Sequence, residues 1–227
     1  MSPPWPVRFS NEATAKHADA LPSSRRREGG STRTLYLVRH AATEFEGKWI
    51  GRTDVPLSNA GRSQADEIAR AVSADRVDAL FASDLLRARE TATAIGQRVG
   101  IAPTLIPGFR ERDFGPWEEL TWEEIAERFP SEAKAYLNDW VTFVPPGAEG
   151  LEVMRDRVRA AWEHIVHSDW TRAVVVGHAG SNRILLAEFL GMPLANLFRI
   201  GQDIGAISRV TLVEGVPYVA ELNLRLH

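Results

Sequence analysis

The sequence predicts an α/β protein, a three-layer α/β/α sandwich built around a mostly parallel sheet. Residues 35–38 and 173–176 are short apolar runs rich in β-branched side chains, which is typical of strands buried on both faces of a parallel sheet. Segments with helical periodicity separate such runs, and this alternation of strand and helix is characteristic of the class. With 227 residues, of which 44% are hydrophobic, the chain can bury a core of its own.

The first 33 residues are predicted to be a disordered tail, followed by one domain at residues 34–227. The tail has an arginine run at residues 25–27 and no sustained hydrophobic periodicity. That run is interpreted as a solvated charge cluster, with an anion-binding or partner-binding segment as the alternative. Nothing at the N-terminus resembles a signal sequence, and no apolar run reaches the roughly 20 residues that a membrane span needs.

The elements expected in the domain follow from hydrophobic period and from residues that begin or end helices. Gly100 and Pro130 mark helix ends, and Thr121 with Glu124 forms a capping box at a helix start. Strands are predicted at residues 35–38, 77–82 and 173–176, helices at residues 58–73, 83–99, 121–129 and 151–167, and a hairpin that closes the sheet at residues 207–213 and 216–222.

Composition limits the chemistry that the chain can perform. A net charge of −3 gives no general attraction for nucleic acid or for an anionic membrane, so neither is predicted as a partner, and an anionic ligand would need local positive charge. With no cysteine the chain has no disulfide, thiolate nucleophile or cysteine-ligated zinc, which suits a reducing compartment. We therefore predict a cytoplasmic protein.

Two predicted strands end on a histidine. Residues 37–38 lead into Arg39 and His40, and residues 175–177 lead into His178. Ligands of open α/β sheets bind beyond the carboxyl ends of the strands, so both imidazoles are expected where a site would form. Each histidine alone is also compatible with a hydrogen-bonded structural role, and the pairing is what favours a site.

Two arginines supply the positive charge that an anionic ligand would need. Arg39 ends an apolar run, where its guanidinium cannot be buried without a partner, and a phosphate would serve. Arg87 lies one turn into the helix predicted to begin with Ser83 as its N-cap, so that it joins the positive end of the helix dipole. The alternative for Arg87 is a surface ion pair with Asp84 or Glu90.

Five motifs in order resemble those of the histidine phosphatase superfamily, the phosphoglycerate mutase-like proteins. They are Leu-Val-Arg-His-Ala at 37–41, Gly-Arg-Thr-Asp-Val-Pro-Leu-Ser at 51–58, Ser-Asp-Leu-Leu-Arg at 83–87, Glu-Arg-Asp-Phe-Gly at 111–115 and Gly-His-Ala-Gly at 177–180. Each motif is weak singly, but their order makes chance agreement improbable. The resemblance extends from about residue 35 to the end of the chain.

The resemblance implies a metal-independent phosphatase of small phosphate esters that needs no cofactor. His40 would be the nucleophile, and Glu111 the proton donor, with Asp113 as its local competitor. Neutral imidazole is available near pH 7, and phosphoryl transfer chiefly requires positioning and charge neutralisation. The phosphoryl oxygens would be held by Arg39, Arg87 and His178, with Thr43 as a weaker member of the pocket. His178 would work best protonated against the phosphate, whereas His40 must present a bare nitrogen, so we expect their environments to push their protonation apart.

The sequence departs from the superfamily's usual pattern at several positions. An Asn that commonly touches phosphate after the nucleophile is missing, and Glu46 near the same point is expected to face away from a phosphate. Glu119 stands where Gly is common, and Gly150 where Ser is frequent. The aromatic side chains near these motifs are interpreted as core rather than pocket: Trp49, Phe109, Phe114, Trp117 and Trp122.

Three alternatives stay open beside the phosphatase. One is a phosphoglycerate mutase, which would need extra cations for a carboxylated intermediate. Residues 136–143 hold none of the paired arginines that mutases carry there, although Arg110 and Arg112 could partly substitute. The others are a silent phosphate-binding module and zinc bound by His40, His178 and Glu111. Within the superfamily, residues 196–205 are similar to the branch that contains α-ribazole phosphatases.

Overall fold

The protein is described here by a computed structural model covering residues 32–226. The strands in this part of the chain are β1 (Thr32–Arg39), β2 (Ala79–Ala82), β3 (Thr104–Leu105), β4 (Arg172–Gly177), β5 (Ile207–Val213) and β6 (Val216–Leu224). They form one sheet in the order β3-β2-β4-β1-β5-β6. β1 to β4 are parallel to one another, whereas β5 pairs antiparallel with both β1 and β6 at one edge. The mostly parallel sheet with a closing hairpin is thus confirmed.

Helices cover both faces of the sheet. The α-helices are α1 (Asn59–Val72), α2 (Leu86–Val99), α3 (Trp122–Arg128), α4 (Pro130–Asn138), α5 (Leu151–Val166) and α6 (Ala179–Phe189). Along β1, Leu35 and Leu37 pack in the core shared with α5 and α6, while Tyr36 and Val38 pack in the core shared with α1 and α2. Because successive side chains of a strand point to opposite faces, one apolar run supplies both cores. The predicted three-layer sandwich is confirmed.

Local capping explains where two of the helices begin. The Ser58 hydroxyl accepts a hydrogen bond from the Gly61 amide at 3.0 Å, which satisfies a donor in the first turn of α1. Thr121 and Glu124 exchange side-chain and main-chain hydrogen bonds at the start of α3, so the predicted capping box is confirmed.

Between β3 and α5, residues 106–150 form an insert with a small core of its own. Trp117, Leu120, Ile125 and Ala133 are buried there, and further aromatic side chains pack around them: Trp49, Phe114, Trp122, Phe129, Tyr136 and Phe143. This aromatic cluster includes Phe114 of the fourth motif and Trp49, which lies two residues before the second motif.

Several predicted boundaries were wrong or incomplete. Ser83 does not cap α2, which begins at Leu86. The Ser83 hydroxyl instead contacts the His178 ring. Pro130 ends α3 but also starts α4, since proline is compatible with the first helical turn. The short β3 and helix α6 were not predicted. β1 begins at Thr32, two residues before the expected start of the domain, and the predicted disorder of residues 1–31 lies outside the described residues.

Candidate active site

Strand register brings the two histidines together. β1 and β4 are adjacent and parallel, with Arg39 opposite Gly177, so His40 and His178 leave the sheet side by side. The His40 amide donates to the Gly177 carbonyl at 3.0 Å, and the two ring centroids are 5.1 Å apart. Both side chains are buried, His40 at 8% exposure and His178 at 0%. The arrangement places two imidazoles at the carboxyl edge of the sheet.

The tautomer of His40 follows from its main-chain contact. Nδ1 lies 2.8 Å from the Ala41 carbonyl oxygen. A carbonyl can only accept, so Nδ1 carries the proton and the lone pair is on Nε2. The imidazole is therefore fixed with an unprotonated nitrogen that can act as a nucleophile.

His178 has the opposite arrangement, and Ser83 is the reason. The Ser83 hydroxyl accepts from the Leu85 amide at 3.3 Å and lies 2.8 Å from Nε2 of His178. We infer that the hydroxyl proton is donated to Nε2, which leaves the imidazole proton on Nδ1. Nδ1 is buried and has no hydrogen-bond partner among residues 32–226. His178 thus offers a donor where His40 offers a lone pair.

The chain's own environment does not push the protonation of the two histidines apart as expected, and a protonated His178 against a phosphate stays a prediction. Burial lowers the pKa of both imidazoles well below the usual range, and the nearby Arg87 and Arg39 lower both further. Both rings are accordingly neutral in the folded protein near pH 7. They differ in tautomer rather than in charge, because each has a different partner on its other nitrogen.

Arg39 follows the apolar part of β1, as predicted. One of its terminal nitrogens donates to the Gln202 carbonyl at 2.6 Å, and its Nε is buried with no partner among the described residues. Burial lowers the pKa of Arg39, and the neighbouring Glu111 carboxylate partly opposes that effect. Arg39 is therefore a cation held by the main chain, and its buried Nε–H is not engaged within residues 32–226.

Arg87 is buried at 1% exposure and donates to a loop rather than to an acid. Its guanidinium reaches the Thr53 carbonyl at 3.0 Å and the Gly51 carbonyl at 2.8 Å. Glu118 fixes the same loop by accepting from the amides of Gly51, at 2.9 Å, and Arg52, at 2.8 Å. Burial lowers the pKa of Arg87 to about 10. The second and third motifs are thus one structural unit around a buried cation.

The surface ion pair considered for Arg87 is wrong. Asp84 pairs with Arg110 instead, and the Glu90 carboxylate accepts from the Leu57 amide at 2.8 Å. Both acids are therefore already engaged with other groups.

Glu111 lies against the start of α6. Its carboxylate accepts from the Gly180 amide at 2.9 Å and from the Arg112 amide at 2.8 Å. A Cβ at position 180 would come within 2.1 Å of the Glu111 carboxylate, so this close approach requires glycine. The last motif therefore positions the Glu111 carboxylate, through Gly180, as well as His178.

Arg157 and Glu149 support Glu111 and were missed from the sequence. Arg157 donates to the Glu111 carbonyl at 2.9 Å and to the Arg110 carbonyl at 2.7 Å, and it forms an ion pair with Glu149 at 2.6 Å. Glu149 precedes α5 and Arg157 lies within it, far along the chain from Glu111. No local pattern indicates such a contact, because the two segments meet only in the folded chain.

A cavity of about 410 Å³ opens beside these groups. Arg39 and Glu111 line it, whereas the more deeply buried His40, Arg87 and His178 are not part of its wall. Three further cations line it, Lys48, Arg112 and Arg183. The rest of the wall is largely apolar and aromatic and consists of Gly47, Trp49, Ile50, Phe114, Tyr136, Trp140, Leu151, Met154, Ala179, Gly180, Leu197 and Phe198.

The aromatic side chains interpreted as core divide into two groups. As expected, Phe109 and Trp117 are fully buried at 0% exposure, and Trp122 packs on the aromatic cluster without lining the cavity. Trp49 and Phe114 pack on the aromatic cluster of the insert but also line the cavity. Each of these rings packs on the cluster and also contacts the cavity, so their packing in the core does not prevent them from lining the pocket.

Thr43 and Glu46 lie away from the cavity wall. The Thr43 hydroxyl accepts from the Phe45 amide at 3.3 Å in the turn after the nucleophile, and a contact between Thr43 and phosphate stays a prediction. Glu46 is exposed and lines a different cavity.

Two departures from the superfamily pattern have local explanations. Glu119 has a φ of 64°, a left-handed conformation in which glycine costs less than other residues. Gly150 is the N-cap of α5 without a side-chain hydrogen bond, a position where serine would supply one. Both substitutions therefore concern backbone conformation, and neither residue lines the cavity.

Within residues 32–226, no three histidine, cysteine, aspartate or glutamate side chains are grouped so that they could hold a metal ion. In the same part of the chain, none of the helices has the length and apolar character needed to cross a membrane.

Comparison with known proteins gives a consistent set of matches. A model of the histidine phosphatase superfamily (branch 1) matches residues 35–225. An adenosylcobalamin/alpha-ribazole phosphatase from Salmonella typhimurium is 29% identical over 194 residues, covering 84% of this chain and 96% of the relative. Phosphoserine phosphatase 1 from Hydrogenobacter thermophilus is 28% identical, covering 85% and 93%. The crystal structure of the alpha-ribazole phosphatase from Shigella flexneri has a TM-score of 0.77 at 26% identity, covering 84% and 96%.

Proposed function

The chain belongs to the histidine phosphatase superfamily and is a phosphoric monoester hydrolase, and we propose that it transfers the phosphoryl group to Nε2 of His40 before hydrolysis. The observation that carries the proposal is the tautomer of His40, whose Nδ1 donates to the Ala41 carbonyl and leaves a lone pair on Nε2. The low pKa of the buried ring keeps that lone pair available.

In the first step, Nε2 of His40 attacks phosphorus, the N–P bond forms and the ester P–O bond breaks. The departing alkoxide takes a proton from Glu111, whose orientation is fixed by the Gly180 and Arg112 amides. Arg39, Arg87 and the Nδ1 proton of His178 neutralise charge on the phosphoryl oxygens.

In the second step, water attacks phosphorus and gives a proton to the Glu111 carboxylate. The N–P bond breaks, the electron pair returns to Nε2 of His40, and inorganic phosphate leaves. Every group used in this cycle belongs to the chain itself, so we propose that turnover needs no metal ion.

The proposed substrates are small phosphorylated metabolites, with α-ribazole phosphate as the first one to assay. The similarity of residues 196–205 to the α-ribazole phosphatase branch and the relatives named above support that choice. The phosphoserine phosphatase at nearly the same identity means that other small esters belong in the same assay.

Transfer to water is favoured over the mutase reaction by the engagement of Arg110 and Arg112. Arg110 pairs with Asp84. Arg112 donates to the Glu149 carbonyl at 2.8 Å and to the Phe143 carbonyl at 3.3 Å. Neither arginine therefore replaces the pair that a mutase uses on its carboxylated intermediate.

The test is a panel of phosphate monoesters assayed in EDTA, with acid-labile phosphate on the protein followed by mass. We expect release of inorganic phosphate in the chelator and a transient adduct on His40. Loss of turnover on chelation, restored by zinc or magnesium, would refute the metal-independent mechanism. Conversion of 3-phosphoglycerate to 2-phosphoglycerate faster than any hydrolysis would favour a mutase, and binding without turnover would favour a silent module.

A further inference from the structure

Arg183 is a cavity-lining cation that the phosphatase mechanism does not use. It lies on α6, the helix that follows His178 and carries the Gly180 amide bound to Glu111. Its Nε donates to the Ile200 carbonyl at 2.9 Å, and its guanidinium carbon is 5.3 Å from the centre of the Phe198 ring. These two contacts hold the plane of the guanidinium while leaving its terminal nitrogens without a partner among residues 32–226.

The other arginines of the cavity wall each have a terminal nitrogen engaged by the chain. Arg39 uses a terminal nitrogen on Gln202, and Arg112 uses its Nε and a terminal nitrogen on two carbonyls. Within the described residues, no carboxylate oxygen lies within 4.0 Å of Arg183. Arg183 is thus the wall arginine whose planar pair of terminal donors is oriented but unoccupied by protein groups.

Burial makes this arrangement costly without a ligand. Burial lowers the pKa of Arg183, and the more distant Glu111 and Asp203 carboxylates only partly oppose that effect. A half-buried cation without a close counter-ion is destabilising, and an anion brought by a substrate would offset the cost. The two terminal nitrogens form a fork that matches the two oxygens of a carboxylate.

We propose that Arg183 binds a carboxylate on the alcohol part of the ester, so that phosphate monoesters bearing a second acidic group are preferred. The transferred phosphoryl group already has Arg39, Arg87 and His178, which leaves Arg183 for a different part of the substrate. Trp140 and Phe198, 4.5 Å apart between ring centres, form the apolar rim beside it. This inference rests on the proposed phosphatase function, because it uses the same cavity. Within that function it ranks esters with an acidic alcohol part, such as phosphoserine, above α-ribazole phosphate, whose alcohol part is uncharged.

The test compares two esters that differ only at the proposed contact. In D-3-phosphoglycerate a carboxylate stands where sn-glycerol 1-phosphate, which has the same arrangement at C2, has a hydroxymethyl group. We expect the wild-type kcat/KM to favour 3-phosphoglycerate. Arg183→Met should reduce that preference about 10- to 100-fold, as expected for loss of a charge-assisted hydrogen-bonded pair. Arg183→Lys should retain part of it, since the charge remains without the planar fork.

Lys48→Met is the matched control, because Lys48 is also a cation of the cavity wall but is exposed. Most of the preference should persist in that variant. The proposal is overturned if the wild type does not discriminate between the esters, if Arg183→Met lowers both equally, or if Lys48→Met removes the preference instead. Trapped phosphate on His40 with either ester tests the phosphatase mechanism separately, whatever the preference.

Discussion

The two sides of the site are built in different ways. On the phosphate side, Arg39, His40, Ser83 and His178 follow the ends of three adjacent strands, and main-chain register fixes their separation. On the opposite side, side chains from the insert and from the turn after α6 form an aromatic wall, with Arg183 held against Phe198. The first side is buried and tethered to backbone, whereas the second is open to the cavity.

This difference separates the residues expected to carry out phosphoryl transfer from those expected to select the substrate. A nucleophile and its charge partners must keep their positions to within a fraction of an ångström, which hydrogen bonds to strand ends and loop carbonyls provide. A wall that binds the alcohol part of an ester needs shape and a few polar groups, and packed aromatic side chains provide these without changing the reacting centre. Substitutions on the phosphate side should therefore change rate for every ester, and those on the wall should change the choice among esters.

The largest effect is expected from His40→Ala. Without Nε2 no other group at the site can form the covalent intermediate, so turnover of every ester should fall about 10⁴-fold or more. Steady-state phosphate release measures turnover, and quenched-flow detection measures formation of the covalent phosphoryl adduct. His164→Ala, which removes an exposed histidine of α5, is the control and should behave like wild type. A His40→Ala protein that still forms an acid-labile phosphoryl adduct would break the assignment.

Arg87→Ala should lower the rate next most strongly. Loss of one preorganised donor to the transferred group costs about 10²- to 10³-fold in rate. The carbonyls of Gly51 and Thr53 would also lose their partner, so we expect about 1–3 kcal/mol of lost stability as well. In Arg87→Ala, the free energy of unfolding measured in urea and kcat/KM should both fall. Arg89→Ala, on the exposed side of α2, should change neither quantity. Wild-type kinetics in Arg87→Ala would exclude a role for Arg87 in binding the phosphoryl group.

The sequence was sufficient to predict which side chains meet at the carboxyl edge of the sheet, because Arg39, His40 and His178 lie in short motifs at strand ends. The parallel strands, the two histidines and the caps at Ser58 and Thr121 all have local signals. Helix α6 was missed because Ile184, Leu185, Leu186 and Ala187 are all buried, which removes the amphipathic period of a surface helix.

The tautomers and the aromatic wall could not be predicted in the same way. The tautomer of His178 depends on Ser83, which lies 95 residues away in sequence. The proposed role of Arg183 depends on its contacts with Ile200 and Phe198, in a turn whose position depends on the packing of α6. Contacts of this kind depend on the folded arrangement of segments, and no period or spacing in the chain encodes them.

Ser83→Ala should have a smaller effect than either variant above, because it acts through His178 and leaves the imidazole in place. Without the hydroxyl, nothing holds the proton on Nδ1, and kcat should fall about 10- to 100-fold for all esters, the range typical for an outer partner of a functional imidazole. Nitrogen NMR shifts of His178 should show a change of tautomer. Ser208→Ala, which removes another buried hydroxyl at 1% exposure, should leave that tautomer unchanged. An unchanged His178 tautomer in Ser83→Ala would show that Ser83 only fills space.

The smallest effect concerns the opposite end of β1, which lies away from both sides of the site. Arg33 donates to the Val166 carbonyl at 2.7 Å, and its guanidinium is 4.1 Å from the centre of the Trp170 ring. Removing residues 1–31 should leave catalysis and the melting temperature nearly unchanged. Removing residues 1–33 takes Arg33 away and should cost about 1–2 kcal/mol, or about 2–8 °C in melting temperature, with kcat/KM preserved. Equal melting temperatures for the two truncated proteins would show that Arg33 contributes nothing, and a fall in kcat/KM in either would show that this end of the strand is coupled to the site.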